Sequence, residues 1–368
     1  MEATIKEIFR EYAKEYLLIK AERVPTNHKK VISAIINCRT KVYGISYYKC
    51  ESCGKIHSSY RSCGNRHCPT CQDHKTKQWA LKQLQKELDC NYFLITFTVP
   101  KEIREFFLHN QRVAYSSLFK ASSDAIKTAT GKSRAMKGST PGFFGVLHTW
   151  GRQIQYHPHI HYVAPGGGLD KNSLSWNKTS KEFYLPIFQL SKLCRDKFKK
   201  IVIKKDLLNK IPLEVWEKEW NVNIQSVGSG RNTIKYLSRY VFKVAISDHR
   251  IIRVHNRRVY FKYTNRETTK VIITSLDVID FIQKYLLHVL PSGFMKVRYY
   301  GFMHASFTLD FDEIRLIVEG FNAVMNRDVS KNKVQEKVDM YCSVCGKSMK
   351  FMFSIQPSKA RIRGSTLT

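Results

Sequence analysis

The sequence predicts an α+β fold: an antiparallel β-sheet flanked by helices, preceded by a small cysteine-rich module and followed by a basic C-terminal tail. Three observations predict it. Short apolar runs of strand character are interleaved with segments of helical period. Five of the ten cysteines lie between Cys50 and Cys71, where core-forming residues are scarce. After about residue 330 the chain is polar, basic and weakly patterned. At 368 residues it is long enough for a large core and more than one unit. We divide it into residues 1–90 (helices and the cysteine module), 91–305 (the sheet domain) and 306–368 (a helical, basic tail).

The elements follow in order. Ile5, Ile8, Phe9, Tyr12 and Tyr16 recur at helical spacing, which predicts an amphipathic helix over residues 1–20. Residues 45–75 are rich in Cys, His, Gly and Ser, and helix resumes near His74 with Trp79, Leu84 and Leu88 as its stripe. Tyr92 to Val99 reads as a buried strand closed by Pro100. A helix over 102–126 and a Gly/Ser/Lys loop at 130–142 precede two strands, Phe143–Trp150 and His159–Ala164. The glycine loop Pro165-Gly166-Gly167-Gly168 ends them. A basic helix over Leu190–Lys200 and a strand at Val222–Val227 follow, then a helix from Asn232 to Phe242 after the Gly228-Ser229-Gly230 break. A hairpin at His255-Asn256 and a helix near 276–289 complete the pattern.

Composition narrows the function. Hydrophobic residues make up 43% and aromatics 12%, so the chain folds. Its formal net charge of +32 attracts polyanions, and nucleic acid is the default partner; a ribosomal-type basic protein would share that charge. The N-terminus lacks the apolar core of a leader, and no apolar run approaches a membrane span. Clustered cysteines then favour metal over disulfides, in the cytoplasm.

Cys50-Glu-Ser-Cys53 and Cys68-Pro-Thr-Cys71 form two Cys-x-x-Cys turns, and four thiolates in two such turns suit tetrahedral zinc. Cys63, His57, His67 and His74 lie in the same segment, so the ligand set is open to permutation or to a second ion. Nearby Arg61, Arg66, Lys75 and Lys77 offer DNA contacts, although a purely structural module fits almost as well. A single knuckle at Cys342-Ser-Val-Cys345 has no second pair near it in sequence and reads equally as an unliganded turn.

Tyr156-His157-Pro158-His159-Ile160-His161 alternates histidines, and on a strand residues two apart point the same way. His159 and His161 can therefore chelate one cation while Ile160 faces the core. If Phe143–Trp150 pairs antiparallel with this strand, His148 falls opposite His159 and becomes the third ligand; Gln153, Gln155 and His157 are the alternatives. Imidazole suits transition metals and tolerates Mg2+ or Mn2+ when oxygens complete the shell. Tyr236 and Tyr240 are four apart on the helix after the glycine break, opposite its stripe of Ile234, Leu237 and Val241. A phenol becomes a useful nucleophile when a cation polarises the phosphate it attacks, and Lys235, Arg239 and Lys243 add positive potential for DNA.

Together these parts resemble the superfamily of single-strand endonucleases named for a histidine–hydrophobic–histidine motif, and within it the rolling-circle insertion-sequence transposases that carry an N-terminal zinc-binding domain. The likeness rests on Ser62-Cys-Gly-Asn-Arg-His-Cys-Pro-Thr-Cys-Gln72, Leu147-His-Thr-Trp-Gly151, His157-Pro-His-Ile-His161 with Pro165-Gly-Gly-Gly-Leu169, and Leu287-His-Val-Leu-Pro-Ser-Gly-Phe294 with Tyr299-Tyr-Gly-Phe302. It implies nicking of one DNA strand to leave a 5′-phosphotyrosine and a free 3′-OH. It also implies a divalent cation at the histidines and transfer of a single-stranded intermediate from the element's ends to a target, on the bacterial nucleoid. The spacing of Tyr236 and Tyr240 is similar to that of the two-tyrosine members. A rolling-circle replication initiator would share the chemistry. A non-catalytic zinc-dependent DNA-binding protein would explain the charge and the cysteines but not the alternating histidines.

Overall fold

The computed structural model describes residues 4–229, 244–265, 267–320 and 340–357. Two helices, α1 (Ile5–Lys20) and α2 (Thr26–Ile36), precede a hairpin of β1 (Ile45–Cys50) and β2 (Ile56–Tyr60) and then α3 (Pro69–Leu84). Next come β3 (Asn91–Thr98), α4 (Arg104–His109), α5 (Gln111–Lys132), β4 (Thr140–Trp150), β5 (Tyr156–Pro165), β6 (Gly167–Asp170) and β7 (Ser175–Lys178). After α6 (Ile187–Ile203) the chain forms β8 (Asn221–Ser229), β9 (Ile251–His255), β10 (Arg258–Thr264), β11 (Val271–Asp277), α7 (Val278–Leu286), β12 (Val297–Gly301) and α8 (Phe311–Glu319). A last hairpin pairs β13 (Met340–Tyr341) with β14 (Ser348–Ile355).

The protein is α+β, as the interleaving of elements predicts. Local chemistry sets many of the boundaries. A capping box of Thr4 and Glu7 starts α1, another of Asp310 and Glu313 starts α8, and Pro69 occupies the first turn of α3. The helix expected over 102–126 is broken at Asn110, whose backbone leaves the helical region and whose amide donates to the Phe106 carbonyl (3.1 Å).

The central sheet has seven antiparallel strands in the order β7-β6-β4-β5-β3-β8, with β12 also paired to β4. Alternation sorts its side chains onto two faces. Phe93, Ile95, Phe97, Phe143, Leu147, Ile160 and Tyr162 face α5 and α6 in the largest core. There the Tyr162 hydroxyl meets Ser122 Oγ at 2.7 Å. The opposite face carries Leu94, Phe144, Val146 and Val163, covered by Trp79 of α3.

Two features cut across the boundaries expected at residues 90 and 305. One core joins Ile5, Ile8 and Phe9 of α1 to Phe261 of β10 and to Phe281 and Tyr285 of α7. The tail, which looks weakly patterned in sequence, supplies β14, which pairs antiparallel with β1 in a four-stranded sheet ordered β13-β14-β1-β2. Its hydrophobic residues escape a core-based reading because Phe351, Met352, Phe353 and Ile355 remain exposed. No described helix is long and apolar enough to cross a membrane.

Candidate functional site

The register of the central sheet builds the first site. His148 of β4 pairs directly with His159 of β5, and Val146 pairs with His161. On the other side of β5, Thr98 pairs with His159 and Thr96 with His161. Three imidazoles therefore share the sheet face opposite α5 and α6, each bringing a ring nitrogen within 4.8 Å of the others. His148 is buried and stacks on Trp150, with ring centroids 4.9 Å apart.

Hydrogen bonds orient the rings. His159 Nδ1 donates to the His157 carbonyl at 2.7 Å, which leaves Nε2 for a ligand. His161 Nδ1 shares a hydrogen bond with Thr96 Oγ1 at 2.8 Å. Burial pushes His159 down to about 4 and His161 down to about 3, so both rings are neutral near pH 7, as a metal ligand requires. A set of three nitrogen donors suits Mn2+ better than Mg2+, which prefers an all-oxygen shell.

His157 has a different partner: its Nδ1 accepts from Arg104 Nη2 at 2.7 Å. Gln155 Oε1 accepts from the Gln153 backbone N–H at 2.9 Å, and Gln153 Nε2 donates to Tyr263 Oη at 2.7 Å. His157 does not belong to the imidazole group, and the two glutamines spend these atoms on each other and on Tyr263. Tyr236 and Tyr240, with Lys235, Arg239 and Lys243, lie outside the described residues.

The cysteines correct the expected grouping. Cys50 and Cys53 do not converge with Cys68 and Cys71. Cys68 and Cys71 instead gather with Cys63 and Cys38, all four sulfurs within 4.8 Å of one another. The physical reason is tertiary: the chain just past α2 brings Cys38 Sγ to 3.6 Å from Cys71 Sγ, while β1 pairs with β14 and so takes the Cys50 turn to Cys342 and Cys345. Cys68 and Cys71 sit at the start of α3, where the helix dipole favours thiolates. The donor set fits tetrahedral zinc. Cys38 stands alone in the sequence, so no Cys-x-x-Cys spacing could single it out. Cys50 and Cys53 form a second group with Cys342 and Cys345.

His67 is not a ligand in either group: it is half-buried, and its Nε2 accepts from the Leu290 N–H at 3.3 Å. His57 is exposed on β2. Arg66, expected at DNA, donates instead to the carbonyls of Pro291 (2.6 Å) and Phe294. That half-buried guanidinium ties the cysteine module to the segment before β12.

Three further residues had no sequence signal of their own. Arg104 stands beside His157 at the rim of the imidazoles. Lys296 is half-buried, lies 4.8 Å over the Trp150 ring, and is brought down to about 7 by desolvation. It lines a cavity of about 400 Å³ with Arg66, Trp79, Trp150, His288 and Tyr299.

His288 is the third. Its Nε2–H donates to the Ile154 carbonyl (3.0 Å) and its Nδ1 accepts from Thr149 Oγ1 (3.2 Å), holding the turn between β4 and β5 that sets the histidine register. Both ring nitrogens are therefore engaged. Burial lowers His288 from 6.5 to about 4, so its contribution to stability is full above pH 6.5 and is lost as pH falls towards 4. His288→Phe is expected to cost roughly 1–3 kcal/mol at neutral pH by leaving buried partners unsatisfied. It should also flatten the fall of Tm between pH 6.5 and 4. Thermal melts across that range check both effects, and an unchanged acid limb would remove His288 from this role.

Comparison with known proteins adds the following. Residues 142–308 match a family described as "Putative transposase", and residues 8–99 match a transposase zinc-binding domain. The chain is 32% identical over 321 residues to "Putative transposase y4qJ" of Sinorhizobium fredii, covering 81% of this chain and 80% of that protein. It is 26% identical over 300 residues to "Transposase for insertion sequence element IS801" of Pseudomonas savastanoi pv. phaseolicola, covering 74% and 70% respectively. No solved structure matches it.

Proposed function

The chain belongs to the insertion-sequence transposases that carry a zinc-binding domain of the insertion-sequence-91 type, and from that premise we propose that it nicks and transfers single-stranded DNA through a 5′-phosphotyrosine intermediate. The observation that carries this reading is the group of three imidazoles on one sheet face. A transposase that cut DNA with a carboxylate-held metal would have no use for it.

The chemistry assigns roles to the chain's own residues. His148, His159 and His161 would hold a divalent cation, Mn2+ or Mg2+. That cation would supply Lewis acidity to the scissile phosphate. Tyr236 or Tyr240 attacks phosphorus: the Tyr Oη–P bond forms, the P–O3′ bond breaks, the phenol loses its proton and the 3′ oxygen gains one. The phosphoester keeps the bond energy, so rejoining to target DNA needs no nucleotide cofactor. Two tyrosines permit two such steps in succession. Arg104 adds positive charge beside the site, and Lys235, Arg239 and Lys243 are assigned to the DNA backbone. The aromatic and cationic cavity behind Trp150 suits an unstacked base. The protein would act in the cytoplasm, at the nucleoid.

The test is incubation with labelled single-stranded DNA from the element's ends and Mn2+, followed by a denaturing gel. A covalent protein–DNA adduct is expected with the wild type and none with the Tyr236→Phe, Tyr240→Phe double variant. An adduct that persists in the double variant would overturn the nucleophile.

A further inference from the structure

The four cysteines that the zinc-domain match does not unite carry a second metal reading. Cys50 and Cys53 lie inside the matched residues 8–99, while Cys342 and Cys345 lie far beyond them. We propose that Cys50, Cys53, Cys342 and Cys345 bind a second zinc ion, which closes a zinc ribbon whose two halves come from opposite ends of the chain.

The two turns are copies of one another. Each reads Cys-x-x-Cys-Gly-Lys: Cys50-Glu-Ser-Cys53-Gly54-Lys55 and Cys342-Ser-Val-Cys345-Gly346-Lys347. In each, the first cysteine's N–H donates to the lysine carbonyl, Cys50 to Lys55 at 2.9 Å and Cys342 to Lys347 at 2.8 Å. In each, the glycine N–H donates back to the first cysteine's carbonyl, at 2.9 Å in both cases. Gly54 and Gly346 take φ of 72° and 70°, a left-handed conformation that a residue with a Cβ resists. This backbone turns both sulfurs of a knuckle towards one point. The knuckles face each other, with Cys50 Sγ 3.4 Å from Cys345 Sγ and Cys53 Sγ 3.5 Å from Cys342 Sγ. All four sulfurs lie within 4.8 Å of one another, and four thiolates in this arrangement are a closed, structural zinc shell.

Packing supplies an independent argument. Among the described residues, the four-stranded sheet that joins β1 to β14 has a core of Cys50, Cys342 and Met349, with Tyr48 and Met340 partly buried beside it. Ile56, Phe351, Phe353 and Ile355 all remain at least half exposed. So small an apolar core does not offset the entropy of ordering a hairpin nearly 300 residues away in sequence. Metal coordination, whose binding free energy is also folding free energy, does.

The full chain, purified without added metal, tests this by elemental analysis and by alkylation mapped with mass spectrometry. Two zinc ions per chain are expected, falling to one in the Cys342→Ser, Cys345→Ser variant. In the wild type, Cys53 and Cys345 are exposed, yet they should resist alkylation until a chelator is added. A wild type holding one zinc, a second ion that proves to be iron, or immediate alkylation of Cys53 and Cys345 would overturn the proposal. The alkylation readout needs no variant to fold, and neither readout depends on DNA cleavage.

Discussion

Replacing His159 and His161 together with alanine is expected to lower DNA strand cleavage by about 10³-fold or more, because a metal's several kcal/mol of transition-state stabilisation would be removed. DNA binding should survive. Both side chains sit on the face of β5 away from the main core, and the strand is held by Ile160 and Tyr162, which are fully buried. His148 is a poorer choice for this experiment. It is 2% exposed and stacked on Trp150, so its removal would disturb packing as well as chemistry. Single-turnover cleavage and fluorescence anisotropy, measured on the same preparation, separate the two effects. Binding that collapses with cleavage would show that the histidines hold the fold, and the metal site would fall with that result.

Much of this site was legible because β-structure has a period of two. Alternating histidines on β5 announce a shared face, and the short connection from β4 places His148 opposite His159 by counting alone. The α+β class followed from the same periodicities. The cysteine sets were not legible in this way. A Cys-x-x-Cys turn shows that a knuckle exists but carries no information about its partner, which tertiary structure decides. Cys38 has no local companion, and Cys342 is separated from Cys53 by the whole sheet domain. Arg66 escapes for a related reason: an arginine in a basic segment looks like a DNA contact until two backbone carbonyls claim its donors.

The block Leu287–Phe294, distinctive in sequence but silent about its purpose, becomes intelligible as a joint. His288 holds the β4–β5 turn, the Leu290 N–H meets His67, and the Pro291 and Phe294 carbonyls take Arg66. Tyr285, just ahead of it, donates to the His67 carbonyl at 2.5 Å. One short segment thus links the histidine register to the loop between Cys63 and Cys68. The N-terminal cysteine group is therefore mechanically continuous with the imidazoles.

That continuity makes the N-terminal cysteines the other large-effect target. The Cys38→Ser, Cys68→Ser variant is expected to lose one zinc and to melt far below the wild type. Structural zinc contributes about 10–16 kcal/mol of binding free energy that is coupled to folding, which equals or exceeds the ~5–15 kcal/mol stability of a typical domain. The consequence should spread beyond the module. Cys38, Cys68 and Cys71 belong to the same core as Phe9, Ile35, Phe281 and Tyr285, so their release unpacks α1, α2 and α7 together. Circular dichroism melts should then show a lost or broadened transition, and cleavage should fall although every imidazole is retained. Loss of the Cys342–Cys345 knuckle should do less, because its sheet buries few residues and lies outside that core. A Cys38→Ser, Cys68→Ser variant that melts with the wild type would show that packing alone holds this core, and the claimed coupling between zinc and the histidine register would fail.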